Sequence, residues 1–162
     1  MSLKPLLLDY GSYWEAELSW SKPRVVPAGQ CPTLLEWIGE SYGVYRIERR
    51  HHLCNDRFPE VLRVGIAYDQ TLSERLKQYP AGLLDRWRAK GTVSVSAAKI
   101  VMEHQHRRVR YEEIEHMLVH FLGPAQNEKK KYSPPAGPFQ VTNTGFKGRL
   151  PRLIVFPAYA FE

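Results

Sequence analysis

The sequence predicts an α+β fold, in which a small three-stranded antiparallel sheet is flanked by helices and carries N- and C-terminal extensions. Three observations predict it. Two strand-like segments are joined by a polar, turn-rich loop, a β-branched segment follows two short helical segments, and the longest helical pattern comes after it. We expect a single domain over residues 1–162, with a central region over 41–129 between an N-terminal extension (1–40) and a C-terminal extension (130–162).

The first half of the chain predicts a hairpin after a less regular start. Residues 1–30 contain several prolines and aromatic residues, which favour irregular structure, and residues 32–40 predict a short helix. Residues 43–48 and 61–67 are expected to pair as antiparallel strands, because the segment between them contains Asn55, Asp56 and Pro59, which favour turns.

The second half predicts helices around a third strand. Residues 71–79 and 83–91 predict two short helices that are separated by Pro80, and residues 92–102 are rich in β-branched side chains. Residues 108–122 predict the longest helix, whose apolar residues fall in one stripe at about 100° per residue. Residues 152–161 predict a last strand.

Composition favours a folded, cytoplasmic protein with an anionic partner. Hydrophobic residues make up 43% of the chain, and no apolar run is long enough for a membrane span or a secretory signal. Cys31 and Cys54 form no disulfide framework, which favours a reduced compartment. The net charge of +6 favours nucleic acid as partner, although many small proteins are basic without binding it.

Four short motifs occur in a recognisable order. They are Gly43-Val44-Tyr45 on the first strand, Arg63-Val64-Gly65 on the second, Arg75 in the next helix, and Glu115 with Leu118, Val119, Pro124 and Asn127 at the end of the last helix. In this order and spacing they resemble the GIY-YIG nuclease superfamily, over roughly residues 41–129. The spacing from Glu115 to Pro124 and Asn127 is the most specific part of the resemblance.

The resemblance implies a divalent-metal-dependent endonuclease with its catalytic core over residues 41–129, which hydrolyses phosphodiester bonds in DNA, with RNA as the alternative substrate. It gives Glu115 the role of holding Mg²⁺ or Mn²⁺, and Arg75 that of binding a phosphate oxygen. It makes Tyr45 the general base, which requires a pKa well below the usual value of about 10. Taken alone, Glu115 would be a boundary carboxylate paired with an arginine.

The chain departs from the family pattern at two positions. Arg63 stands where the second motif has tyrosine, either as an added cation or as a partner of Glu60 or Asp69, and Tyr68 could return a phenol to the site. Tyr79 stands where many members have histidine. Gly43 and Gly65 would allow close approach of backbone or substrate. Asn127 would either fix the loop after the helix or touch the site.

Basic residues supply candidate contacts to phosphate. Trp87 is either a stacking residue or part of the core, and His116 and His120 are either zinc ligands or part of a solvated face. Two other functions stay open: a nucleic-acid-binding module with weak or no catalysis, and an unrelated α+β interaction protein. The candidate nucleic-acid-binding residues are Arg46, Arg49, Arg50, Arg86, Arg88, Arg107, Arg108, Arg110, Lys129, Lys130 and Lys131.

Overall fold

Seven strands form one mixed sheet in the structure, a computed structural model that describes residues 13–29, 42–102, 107–127, 135 and 137–156. The strand order is β4-β3-β5-β1-β6-β7, and β2 also pairs with β5. Neighbouring strands are antiparallel except β1 and β6, which run parallel. The strands are β1 (Trp14–Trp20), β2 (Arg24–Val25), β3 (Gly43–His51), β4 (Glu60–Ala67), β5 (Gly91–Met102), β6 (Phe139–Gly145) and β7 (Leu153–Phe156).

The prediction of a small three-stranded sheet is therefore wrong. The three predicted strands are present as β4, β3 and β5 and pair antiparallel, but β1 continues the sheet beyond β5 and curls it with β6 and β7 into a half-barrel. Residues 14–20, which we expected to be irregular, alternate buried and exposed side chains along β1. Strand β7 corresponds to the last strand, which was predicted over residues 152–161.

Three helices occur in the described ranges, and none of them is long and apolar enough to cross a membrane. Helix α1 (Leu72–Lys77) begins with a capping box between Thr71 and Glu74. It is followed by α2 (Ala81–Arg88) and α3 (Arg108–Leu122). Helix α3 ends at Gly123, whose φ of 54° is the left-handed conformation typical of such caps. The helix predicted over 32–40 and the lysines at 129–131 lie outside the described residues.

The helices cover the two faces of the sheet separately. Successive residues of a strand point to opposite faces, so Val44 and Tyr45 belong to different parts of the core. Val44 packs with buried residues of α3, such as Leu118, on what we call the α3 face. Tyr45 packs with Leu76 of α1 and Leu84 of α2 on the α1–α2 face.

The loop after α3 covers the outer edge of β4, which is the first strand of the sheet. The backbone N–H groups of Ala125 and Gln126 donate to the carbonyls of Val61 and Leu62, at 3.1 and 2.8 Å. The Asn127 side chain then accepts from the Val64 N–H and donates to the Val64 carbonyl, both at 2.9 Å. Backbone groups at the outer edge of β4, which would otherwise be unpaired, are thus hydrogen-bonded to the loop after α3.

Candidate active site

Two tyrosines form the centre of the candidate site on the α1–α2 face. The hydroxyl groups of Tyr45 and Tyr79 are 2.7 Å apart, and the Tyr45 side chain is completely buried. Tyr45 lies across Gly65 of the neighbouring strand, where a Cβ atom would come within 2.3 Å of the hydroxyl oxygen. Any side chain at position 65 would displace Tyr45, so Gly65 makes room for the tyrosine pair.

Two arginines flank this pair. Arg75, half-buried on α1, donates to Gln78 Oε1 at 2.7 Å, and it is close enough to Tyr45 to act on the pKa of its phenol by charge and by a hydrogen bond. The Arg63 guanidinium lies 5.9 Å from the centre of the Tyr79 ring and donates to the Gln126 carbonyl at 3.4 Å. The structure thus brings together Tyr45, Arg63, Arg75 and Tyr79, and it places Arg63 between the tyrosine pair and the loop after α3.

The ionisation of Tyr45 differs from what the resemblance implies. Burial raises the pKa of Tyr45, and the neighbouring Tyr79 raises that pKa further, while the Arg75 cation opposes the rise. A general base would need a lowered pKa instead. In this arrangement the phenol stays protonated near neutral pH and forms a hydrogen bond with Tyr79.

Tyr68 lies against α3, and Glu115 is part of that helix. The Tyr68 ring packs edge-on against Tyr111 of α3, with ring centres 4.9 Å apart, so Tyr68 does not join the tyrosine pair. Glu115 is half-buried one helical turn after Tyr111. Of the predicted catalytic residues, Tyr68 thus packs with α3 instead of with the tyrosine pair, and Glu115 is carried by α3 itself.

The donors available to a metal ion are few. Within the described ranges, no three His, Cys, Asp or Glu side chains are grouped so that they could hold a metal ion. Mg²⁺ keeps several of its waters and is often held by one or two carboxylates, so Glu115 alone is compatible with Mg²⁺ but not with a structural zinc site. Of the histidines considered for zinc, His120 packs edge-on against Phe121 and Phe156.

The predicted nucleic-acid-binding arginines fall into two sets. Four have partners that hold them in the protein: Arg46 is 2% exposed, Arg49 pairs with Glu60 at 2.7 Å, Arg88 pairs with Asp85, and Arg110 lies over the Trp14 ring at 5.6 Å. The others in the described ranges are exposed at the surface. They are Arg50, Arg86, Arg107 and Arg108, the last of which is paired with Asp69 and Glu112.

Arg46 is structural, contrary to the expectation that it contacts nucleic acid. Its guanidinium lies 4.6 Å from the centre of the Trp20 ring and 3.0 Å from Glu48 Oε1. It also donates to the carbonyls of Phe146 and Lys147, at 2.8 and 2.7 Å. This buried arrangement was not predicted from the sequence, because an arginine on a strand usually predicts an exposed position.

Other supporting residues have packing roles. At Gly43 a Cβ atom would come within 2.2 Å of the Ala98 carbonyl oxygen, so a close contact between strands requires glycine there. Trp87 is buried, with its ring centre 6.2 Å from that of Tyr79, which supports the core interpretation and not the stacking one. Asn127 fixes the loop after α3 to β4.

Comparison of the chain with protein-family models, with curated proteins and with solved structures finds no match.

Proposed function

We propose that the protein is a divalent-metal-dependent endonuclease that acts on DNA in the cytoplasm. The observation that supports this most is the contact of Tyr45 and Tyr79 with Arg75 and Arg63, in the order of the motifs that resemble the GIY-YIG superfamily. The two arginines supply fixed cationic donors beside a pair of phenols. Such a group suits a phosphate, since arginine binds phosphate oxygens with geometric specificity.

Each residue has a part in this proposal. Arg75 and Arg63 neutralise the phosphate, and Tyr79, which is less deeply buried than Tyr45, presents its hydroxyl to the scissile group. Tyr45 holds Tyr79 in place through the 2.7 Å hydrogen bond. Glu115 is the residue that would hold Mg²⁺, which neutralises negative charge and lowers the pKa of a bound water.

The direct test is nicking of supercoiled plasmid in the presence of Mg²⁺, Mn²⁺ or EDTA. Removing an arginine that stabilises a phosphate typically costs orders of magnitude, so we expect Arg75→Ala to nick at least about a hundredfold more slowly. Lys77→Ala is the matched control, because it removes one positive charge from the exposed side of the same short helix. Nicking by Arg75→Ala at the rate of the Lys77→Ala variant would contradict the proposal.

The proposed metal role of Glu115 has its own test. We expect Glu115→Ala to lose Mg²⁺-dependent nicking while it binds DNA at low salt as well as the wild type, because the change removes negative charge near the phosphate. Glu112→Ala, on an exposed position of the same helix, should nick normally. If Glu115→Ala melts at a lower temperature and loses nicking only in proportion to its folded fraction, Glu115 is structural.

One observation favours a second function, a nucleic-acid-binding module without cleavage. Tyr45 is fully buried and its pKa is raised, whereas the general base that the resemblance implies requires a lowered pKa. In that case the wild type should not nick plasmid, but its affinity for duplex DNA should still fall with salt. At about 0.9 counterions per phosphate contact, six contacts would weaken binding roughly a thousandfold between about 50 and 200 mM salt. Affinity independent of salt would exclude both functions.

A further inference from the structure

A second concave surface, which we call the arginine groove, lies on the α3 face and is separate from the tyrosine pair. Arg46, Glu48 and Arg50 point to this face because they alternate with Tyr45 and Ile47 along β3. They line a cavity of about 400 Å³ together with Arg57, Phe58, Phe146 and Arg149. The volume is within the usual range for small-ligand sites, roughly 300–1,000 Å³.

The floor of the arginine groove is polar and fixed by pairing between strands. Glu48 and Arg50 of β3 are the cross-strand neighbours of Ser94 and Thr92 of β5, and all four side chains line the cavity. The buried Glu48 carboxylate is paired with Arg46, while Arg50, Arg57 and Arg149 have no second carboxylate among the lining residues of this cavity. The surface therefore carries an excess of positive charge, which suits an anionic ligand.

Two arginines of β3 hold the turns that form its rim. Arg46 donates to the carbonyls of Phe146 and Lys147, and Arg50 donates to the carbonyl of Asp56 at 2.9 Å. Gly148 completes the first turn with a φ of 63°, and a Cβ atom there would come within 3.0 Å of Arg46 Nη2. The buried guanidinium of Arg46 thus positions the turn that carries Phe146.

Each of these turns presents an exposed aromatic ring with a cation beside it. Phe58 is 37% exposed and Phe146 is 52% exposed. The Arg57 guanidinium lies 5.2 Å from the centre of the Phe58 ring, and Lys22 Nζ lies 5.9 Å from that of Phe146. Rings for stacking, with cations alongside for phosphates, are the combination that binds single-stranded nucleic acid without reading its sequence.

The arginine groove is longer than a single nucleotide. A second cavity of about 460 Å³ shares Arg57, Phe58 and Arg149 with the first and continues to Gly123 and Ala125, after the end of α3. It is also lined by Asp56 and by Glu60, whose carboxylate is paired with Arg49. We propose that the arginine groove binds an extended single strand of DNA, with bases stacked on Phe58 and Phe146 and phosphates bound by Arg57 and Arg149. This site does not depend on the proposed nuclease, since Arg75, Glu115 and the tyrosine pair do not line either cavity.

The test is the affinity of the full chain for a fluorescent single-stranded 12-mer of thymidine, measured by anisotropy in EDTA so that cleavage cannot interfere. Loss of stacking on a ring costs about tenfold or more in affinity, so we expect Phe58→Leu/Phe146→Leu to weaken binding at least tenfold. Phe121→Leu is the matched control, because Phe121 is 45% exposed and does not line either cavity. Arg57→Gln/Arg149→Gln should also weaken binding, whereas Arg152→Gln should not.

Competitors identify the class of ligand. Free thymidine monophosphate, supplied at the same concentration of nucleotide, should compete far less well than the unlabelled 12-mer, and so should a poly-glutamate peptide of twelve residues. Equal competition by the mononucleotide would overturn the extended strand, and equal competition by the peptide would overturn nucleic acid as the ligand.

A photocrosslink locates the strand. With 5-iodouracil in the oligonucleotide, we expect adducts on the tryptic peptides that contain Phe58 or Phe146. The proposal is overturned if the adducts form only on other peptides, or if the double phenylalanine variant binds as the wild type does. Melting temperatures of all variants show whether they are folded at the temperature of the assay.

Discussion

Tyr45 and Arg46 are adjacent on β3 and both are buried, yet they serve opposite faces of the sheet. Tyr45 could be singled out from the sequence because it follows Gly43-Val44 in a motif that resembles a nuclease family. The burial of Arg46 could not be predicted, since arginine is almost never buried without a partner. Its partners are Trp20 and the turn at 146–148, which are distant in the chain and come together only in the folded sheet.

Replacement of Tyr45 by phenylalanine should change how stability depends on pH. The unfolded chain releases this proton near pH 10, whereas the raised pKa keeps it bound in the folded chain. The folded state therefore binds more protons above about pH 10, and the free energy of unfolding falls as the pH rises, by about 1.4 kcal/mol per pH unit. We expect Tyr45→Phe to remove that part of the slope in urea unfolding between about pH 10 and 11.5.

The control for this experiment is Ile47→Val, on the same face of β3. Ile47→Val should lower the free energy of unfolding by about 1 kcal/mol at every pH, and it should leave the dependence of that free energy on pH unchanged. Equal slopes for wild type and Tyr45→Phe would show that the Tyr45 phenol is not held protonated by its burial.

At the scale of the elements, local signals predicted α1, α3 and the three strands that became β3, β4 and β5. The Thr71–Glu74 capping box and the glycine at position 123 fix helix ends within a few residues of chain. Strand β1 was not predicted, although Trp14, Ala16, Leu18 and Trp20 alternate with polar residues, because the nearby prolines favour irregular structure.

The contact between Asn127 and β4 should contribute to stability. Asn127→Ala removes two hydrogen bonds of 2.9 Å and leaves the N–H and carbonyl of the buried Val64 without this partner at the sheet edge. A lost partner of this kind costs about 1–3 kcal/mol. We expect the free energy of unfolding to fall by that amount in urea titrations.

Gln126→Ala is the matched control, since Gln126 contacts β4 through its backbone N–H, which the substitution keeps. The free energy of unfolding of Gln126→Ala should remain within about 0.5 kcal/mol of the wild-type value. An Asn127→Ala variant with the same free energy of unfolding as the wild type would mean that water replaces the side chain at no cost. The loop would then not depend on Asn127 for its position.

At the scale of the whole molecule, the order of strands is what sequence patterns could not provide. Strand β1 lies between β5, its antiparallel neighbour, and β6, which pairs with it in parallel from residues 139–145. Pairing between segments more than a hundred residues apart has no local signature, and closing such a long loop is favourable only when the apolar surface it buries is large. The sheet was therefore predicted too small.

This strand order predicts that residues 41–129 will not fold as an isolated fragment, although the motifs that resemble a nuclease all lie within them. Without β1 the edge of β5 is open, and the α3 face loses the buried side chains of Trp14, Leu18, Trp20 and Phe139. Burying a large apolar side chain contributes about 1.5–3 kcal/mol, and a domain is stable by only about 5–15 kcal/mol in total. We expect the fragment to lack a cooperative urea transition by circular dichroism, whereas the full chain shows one. A cooperative transition in the fragment would mean that β3, β4, β5 and α3 form an independent domain, with the other strands as an addition to it.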